Sequence, residues 1–412
     1  MLSAEEARAK VIEIVAARCC ALGTEEMEIA RDPSRALSRI LADNALADRN
    51  YPPFDRSTRD GFAVRASDAA ALGAKLRLIG ESRAGVAFEG TVGAGECVRI
   101  LTGAPVPRGA NAVVMQEYTR VEGDFVVLEQ AARTGQNFVF AGEHARVGEV
   151  VVARGSRLSY TELAVLAEVG RVSVPVTRRL RVAILSTGDE LVSVEQVPGP
   201  FQIRNSNSIS LSAQVALAGG EPVICGIAHD TTSELRERLV HGLESDMLVL
   251  SGGVSVGKYD LVEQVLRELG AEIFFDAVAI RPGKPAVFAW CRGKPVFGLP
   301  GNPVSTMVTF ELFAAPAIEL LSGLAPQRLP LFKAKLLHPV AEKQGLTHFL
   351  PARVTWPSRG ASCEPVVETL PWEGSGDIGA VARGNCFLIV RPTRLHLEQD
   401  EWVDVLPQRG AF

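Results

Sequence analysis

Four stretches of the chain bring acids, hydroxyls and small residues to places where a phosphorylated ligand could be handled. They are STGDEL (Thr187, Gly188, Asp189, Glu190), AHD ending at Asp230, SGGVSVGKYD (Ser251 to Asp260) and PGNPVS (Pro300, Asn302, Pro303, Ser305). Each follows a short apolar run: VAIL, PVICGI, MLVL and PVFGL. Glycines at Gly252, Gly253 and Gly257 carry no Cβ, so backbone N–H groups can point at a ligand, and helix N-termini add partial positive charge. That combination favours an anion. The acids on the same rim would repel a bare anion unless a hard cation such as Mg2+ bridges them, so an anion with a metal is the simplest joint reading. AIRPGKP supplies positive charge by setting Arg281 and Lys284 in a tight Pro-Gly turn between two strands.

Taken singly, each feature also has a purely structural explanation. Asp260 with Glu263, and Thr231 with Glu234, have capping-box spacing. Asn302 and Pro303 suit the cap and first turn of any helix. Arg281 and Lys284 fit a solvated turn. The convergence of all of them on one set of strand ends is what argues for a site.

The elements that must position these residues form a repeating pattern between 179 and 326. The apolar runs alternate with helical patterns near 206 to 218, in TTSELRERLVHGL and in DLVEQVLRELG. Two further strands, AVFAW and PVFGL, precede a final helix, PVSTMVTFELFAAPAIELL. Short apolar strands alternating with helices predict a parallel sheet covered on both faces, with ligands beyond the carboxyl ends of its strands. The expected fold class is multidomain α/β. A helical linking domain is expected over 1–47 and 146–178. In it DPSRALSRILADNAL reads as a helix capped by Asp32 with Pro33 in the first turn, and SYTELAVLAEVG as one opened by a Ser159–Glu162 capping box and closed by Gly170. An inserted β-rich domain follows from the Gly- and Pro-broken strands of 48–145. Residues 179–326 make the α/β domain and 327–412 a C-terminal β-barrel.

Composition limits the function classes. With 412 residues, 47% hydrophobic and 22% charged, the chain is well cored and long enough for two to four domains. A net charge of −5 argues against a general nucleic-acid binder. Seven scattered cysteines without a CxxC pair are the usage of a reducing cytoplasm. The N-terminus has the spacing of an amphipathic helix and not of a secretion signal. No apolar run approaches the roughly 18 residues needed to span a bilayer, and no membrane association is expected.

Four blocks carry a resemblance: YPPFDRSTRDGFAVRASD (51–68), RILTGAPVPRGANAVVMQE (99–117), STGDEL with SGGVSVGKYD, and RPGKP with GLPGNPVS. They are similar, in order and over nearly the whole chain, to the molybdopterin molybdenumtransferase family, MoeA in bacteria and the E domain of gephyrin in animals. The resemblance implies a homodimer of four-domain subunits that takes adenylylated molybdopterin and molybdate, hydrolyses the pyrophosphate link with Mg2+, and releases AMP and molybdenum cofactor. Matching positions put Asp189, Glu190, Asp230 and Asp260 among the metal-holding and catalytic acids. Asp60 and Thr102 would face the site from a second copy. Thr187, Gly188, Ser251, Gly252, Gly253, Ser255, Gly257, Arg281, Lys284, Pro300, Asn302, Pro303 and Ser305 would bind substrate, joined by Arg353 and Ser375 from the barrel. Molybdate, a dianion, suits Lys284, Arg281, Ser255 and Ser305. Expected protein partners are the molybdopterin adenylyltransferase and recipient molybdoenzymes.

One departure stands out in NFVFAGEHARVGE. Val139 and Phe140 stand where the family commonly has arginines, and His144 where it has an aspartate. A neutral histidine is a poor Mg2+ ligand, so either the position is dispensable or the metal or activity is altered. The alternative reading is a non-catalytic carrier, sensor or scaffold that binds molybdopterin.

Overall fold

A computed structural model describes residues 1–254, 261–343, 345–356 and 364–411. The chain forms two compact units, one of residues 1–26, 38–42 and 175–412, the other of 27–37 and 43–174.

The first unit is built on a six-stranded sheet whose strands β1 (Arg181–Thr187), β2 (Glu221–Ala228) and β3 (Met247–Ser251) are the apolar runs of the sequence. The next are β4 (Glu272–Ala277), the short β5 (Ile280–Arg281), β6 (Pro285–Cys291) and β7 (Lys294–Leu299). The spatial order is β2-β1-β3-β7-β6-β4. Pairing is parallel from β2 through β7, then antiparallel from β7 to β6 and from β6 to β4. The expected parallel sheet is thus formed by four strands, with β6 and β4 added antiparallel. Residues 291 to 294 join β6 to β7 in a tight connection, with Arg292 at φ 50° and Gly293 at φ 81°, and such a hairpin forces antiparallel neighbours.

Side chains along β1 alternate between two apolar layers. Val182 and Ile184 pack with α1 (Ala4–Arg18), α2 (Ser206–Leu217) and the long helix beginning at Pro303. Ala183 and Leu185 pack with Leu235 and Leu239 of α3 (Thr232–Gly242), and with Val262 and Val265 of α4 (Leu261–Glu268). Both faces are thus covered, which is why the strands read as continuous apolar runs. Helix α5 (Pro303–Thr309) continues through a π-helical turn, Phe310–Ala314, into Ala315–Leu321. Against the sequence expectation, Pro303–Leu321 is 19 residues long and apolar enough to cross a membrane, but 83% of its most apolar window is buried inside the fold. It is the core helix of this unit.

Residues 332–407 close into a barrel. Strands β8 (Phe332–Leu336), β9 (Thr347–Thr355), β10 (Val366–Thr369), β11 (Cys386–Val390) and β12 (Trp402–Pro407) run in the order β9-β10-β8-β12-β11, and β11 pairs back to β9. Leu336, Leu350, Val354, Val367, Leu388 and Val405 fill it. Strand β5 joins β9 in parallel, Arg281 opposite His348. The one barrel helix of note, α6 (Ile378–Arg383), is capped by Asp377, which accepts the Ala380 N–H at 3.0 Å.

The second unit is β-rich, as expected. Its sheet runs Ala112–Met115, Gly61–Val64, Glu96–Ile100, Lys75–Ser82, Phe125–Leu128, Thr119–Glu122 in space, around Phe62, Leu76, Val114 and Leu128. Its helix, Tyr160–Glu168, opens with the expected Ser159–Glu162 capping box, and Gly170 follows it at φ 75°.

Two helix expectations fail. DPSRALSRILADNAL forms only a 3-10 turn, Pro33–Ala36. Asp32 spends its carboxylate on the Ser34 hydroxyl instead of a backbone N–H, Ser38 turns the chain at φ 63°, and Leu41 bridges Val176 as a strand would. Burial of Ile40 and Leu41 in that extended pairing outweighs helix propensity. Thr231 does occupy the N-cap of α3 but makes no side-chain capping bond; the reciprocal half of the box is missing as well, its N–H being given to His229 O at 2.7 Å and Glu234 lying near Arg238.

Candidate functional site

The carboxyl ends of β1, β2, β3 and β7 border a cleft of about 610 Å3. Of the expected residues, Thr187, Gly188, Glu190 and Asp230 line it from the first two strands. Ser251, Gly252 and Gly253 line it after β3, and Pro300, Asn302 and Pro303 after β7. Asn302 holds the N-cap position of α5 without a side-chain capping bond; its carbonyl takes the Thr306 N–H and hydroxyl, both at 3.0 Å. Asn302 also lines the cleft, and the helix N-terminus behind it contributes positive potential.

Glycine is needed after β3 for packing as well. Gly252 and Gly253 adopt φ 93° and 65°, and a Cβ on either would meet Thr187, 2.5 Å from its carbonyl oxygen or 2.7 Å from its hydroxyl oxygen. The bareness of that turn lets two strand ends press together. There is open space beside Gly301, where a Cβ would meet nothing closer than Gly252 Cα at 3.5 Å.

Three carboxylates gather on the ends of β1 and β2. Asp189 Oδ1 accepts the Asp230 N–H at 3.2 Å and faces His229 Nδ1 at 3.1 Å. The Asp230 carboxyl is raised above the usual aspartate range, first by lost hydration, then by the negative charges of Asp189 and Glu190. Burial is the larger cause of that rise, and a cation placed among the acids would offset the smaller part that comes from their charges. The donors are hard oxygens, which suits Mg2+. Among the described residues, however, no three acidic, histidine or cysteine side chains stand close enough to hold an ion. Asp260, the fourth acid expected there, lies outside the described residues, as do Ser255 and Gly257.

Other expected residues lie elsewhere. Asp189 lines a neighbouring cavity. Arg281 and Lys284 are exposed on the turn made by the cis Arg281–Pro282 bond and Gly283, beside Pro285 of the cleft wall. Ser305 is buried within α5, its carbonyl accepting the Thr309 hydroxyl at 2.8 Å. Arg353 gives its guanidinium to Arg383 O. Ser375 contributes its backbone, the carbonyl accepting the Val304 N–H at 3.0 Å, and so brings Gly376 and Ile378 into the lining. In the second unit, Asp60 Oδ1 accepts both the Thr102 N–H at 2.6 Å and its hydroxyl at 2.7 Å, which holds the exposed Asp60 carboxyl below its ordinary range. His144 lines a smaller cavity there with Arg49, Tyr51 and Arg56.

Sequence reasoning missed Asn207. Its Nδ2 donates to Ser251 Oγ at 2.6 Å and Gly301 O at 2.8 Å, with Thr306 Oγ1 at 3.3 Å, tying together the chain after β3, the chain after β7 and α5. Because Gly301 O can only accept, the amide orientation is fixed. Asn207 Oδ1 and Thr187 Oγ1, both on residues of the cleft wall, are buried without partners among the described residues. The signal was available in RNSNS: Asn205 already caps α2, accepting the Ser208 N–H at 3.1 Å, so a second asparagine two residues on is more than a cap requires.

Comparison with known proteins agrees with this architecture. Residues 2–170 match the MoeA N-terminal region (domain I and II), 183–320 a probable molybdopterin binding domain, and 333–408 the MoeA C-terminal region (domain IV). The molybdopterin molybdenumtransferase of Nostoc sp. is 38% identical over 305 residues, covering 72% of this chain and 70% of that protein. That of Staphylococcus aureus (strain MRSA252) is 32% identical over 377 residues, 90% and 89%. The crystal structure of the molybdopterin biosynthesis MoeA protein from Pyrococcus horikoshii OT3 superposes with a TM-score of 0.81 at 27% identity, covering 99% of this chain and all of that one. By its three matched regions and its full-length relatives, the chain belongs to the molybdopterin molybdenumtransferase family.

Proposed function

We propose that this chain places molybdenum on molybdopterin, using the strand-end cleft as its reaction site. The observation that carries the reading is the meeting, in one cleft, of Glu190 and Asp230 with the Asn302 cap of α5. Acids beside a helix N-terminus suit a phosphorylated substrate whose charge is partly offset by a cation. Nothing in the cleft favours a carrier without chemistry.

The finer chemistry belongs to the same proposal. The substrate is taken as adenylylated molybdopterin. Water adds to one phosphorus, the P–O–P bridge breaks, and AMP leaves with a phosphate oxygen where the bridge was, one proton being released. Glu190 and Asp230 orient and deprotonate that water, Asp230 being suited by its raised affinity for a proton. Mg2+, for which Glu190 and Asp230 would be the cleft ligands alongside substrate oxygens, would neutralise phosphate charge. Molybdate then gains two Mo–S bonds to the dithiolene as one oxo group leaves as water with the two thiol protons, without change of oxidation state. Arg281 and Lys284, which have no carboxylate partner among the described residues, are proposed to hold the dianion.

Asp60 and Thr102 are proposed to serve the site of a second copy in a homodimer. Mixing Asp60→Ala protein with Glu190→Gln protein should restore activity that neither variant has alone. The overall reading is tested by incubating the chain with adenylylated molybdopterin, Mg2+ and molybdate, then adding an apo-molybdoenzyme: AMP release with enzyme reactivation is expected, and tight binding without either would replace the reading with the carrier.

A further inference from the structure

We infer that the smaller cavity of the second unit, lined by Arg49, Arg56 and His144, binds a tetrahedral oxyanion. It holds about 190 Å3, roughly six waters at ~30 Å3 each. That is room for an ion of the molybdate, phosphate or sulfate class and too little for a nucleotide or a pterin. All of its lining residues belong to this one unit.

Three segments bring the positive groups together. Tyr51 is the anchor: it is buried, and its hydroxyl sits between the Asp48 carboxylate and the Glu168 carbonyl. The Arg49 guanidinium lies over its ring, 5.6 Å from the centroid, which restrains the group without pairing its charge with an acid. The Tyr51 carbonyl accepts the backbone N–H of His144 at 2.9 Å and so draws that residue to the same place. Arg56 comes from a two-residue strand, Arg56–Ser57, paired with Phe138–Val139, where Val139 stands opposite it and adds no charge.

The charge balance favours an anion. Neither arginine forms an ion pair among the described residues, and Arg56 is half-buried, where an unpaired guanidinium gains most from an anionic ligand. Against them the lining holds one acid, Glu168. Each guanidinium offers a planar fork of N–H donors, and the imidazole adds another N–H. Gly103 leaves part of the wall open: it adopts φ 82°, and a Cβ there would meet nothing within 4 Å. The histidine at 144 is consistent with this use, since an aspartate in its place would set a second acid against the two arginines.

Sodium molybdate, phosphate and sulfate, each titrated calorimetrically into the full-length chain, are the probes. The titrations are repeated on an Arg281→Ala, Lys284→Ala parent, which removes the oxyanion binding proposed for the strand-end cleft and reads the cavity alone. In that parent Arg56→Gln and His144→Asp should each weaken binding of the preferred ion about tenfold or more. Glu168→Gln should tighten it about threefold or more, a gain that damage to the fold would not produce. Tighter binding of molybdate than of the other two names the metal oxyanion as the occupant; the reverse names a phosphate or sulfate group. The inference is overturned if none of the three ions binds the Arg281→Ala, Lys284→Ala parent, or if the folded Arg56→Gln, His144→Asp and Glu168→Gln variants bind them as that parent does. Failure of the function proposed above reads out separately, as oxyanion binding in the cavity without AMP release from adenylylated molybdopterin.

Discussion

Asp189 Oδ1 accepts the backbone N–H of Asp230 at 3.2 Å, so the ends of two neighbouring strands are tied together at the rim. The Asp230 carboxyl beside it is raised, first by burial and then by the charges of Asp189 and Glu190. A carboxyl whose folded-state pKa is raised contributes relative stability at low pH that is lost as pH rises through that value. Asp230→Asn should therefore be at least as stable as the parent at pH 7, with the gap closing as pH falls toward the ordinary aspartate range. Thermal denaturation across that range checks the sign.

The two glycines at the cleft should answer differently to the same change. Gly252→Ala sets a Cβ 2.5 Å from Thr187 O at φ 93° and should cost about 2 kcal/mol or more. Gly301→Ala meets only ordinary contact and should leave stability within about 0.5 kcal/mol, while weakening substrate binding because it fills open cleft. Urea denaturation of both variants, paired with binding measurements, separates packing from ligand room.

Asn207→Ala removes the amide that joins Ser251, Gly301 and Thr306. Leaving a buried carbonyl without its donor should cost about 1–3 kcal/mol. Asn207→Asp should be no better, because a carboxylate would face the Gly301 carbonyl. Equilibrium unfolding is the measurement, and a loss of substrate affinity exceeding that of Gly301→Ala would show that the tie also shapes the cleft.

Glu162 offers a pH test remote from the site. Bonds from the Ser159 hydroxyl and backbone N–H lower its carboxyl to about 2. A lowered folded-state value means stability present above the ordinary glutamate pKa and lost as pH falls from about 4.5 to about 2. Glu162→Gln should cost about 0.5 kcal/mol at pH 7, discounted for its exposure, and nothing near pH 2. Melting temperatures of the two proteins should converge over that window.

Much of this was legible in the sequence wherever one local rule sufficed. Apolar runs ending in Gly, Ser and acid gave β1, β2, β3 and β7 and most of the cleft lining, because a strand buried on both faces leaves few alternative readings. Ser159 and Glu162 gave a helix start. DPSRALSRILADNAL misled because its helix signals are local, whereas Leu41 finds its partner at Val176. The antiparallel edge, β6 and β4, depends on a tight connection that strand composition does not reveal. The packing role of Gly252 and Gly253 was not legible because the pressing neighbour, Thr187, is more than sixty residues away in the chain. Asn207 was hidden for the same reason: its three partners are contributed by segments distant in sequence.

The central claim is that Glu190 and Asp230 carry out hydrolysis in the strand-end cleft, and single-turnover release of AMP from adenylylated molybdopterin tests it most directly. Glu190→Gln and Asp230→Asn should each slow release by about 100-fold or more while binding the substrate with near-parental affinity. Parental release rates in both folded variants would contradict the account and move the chemistry to another place in the molecule.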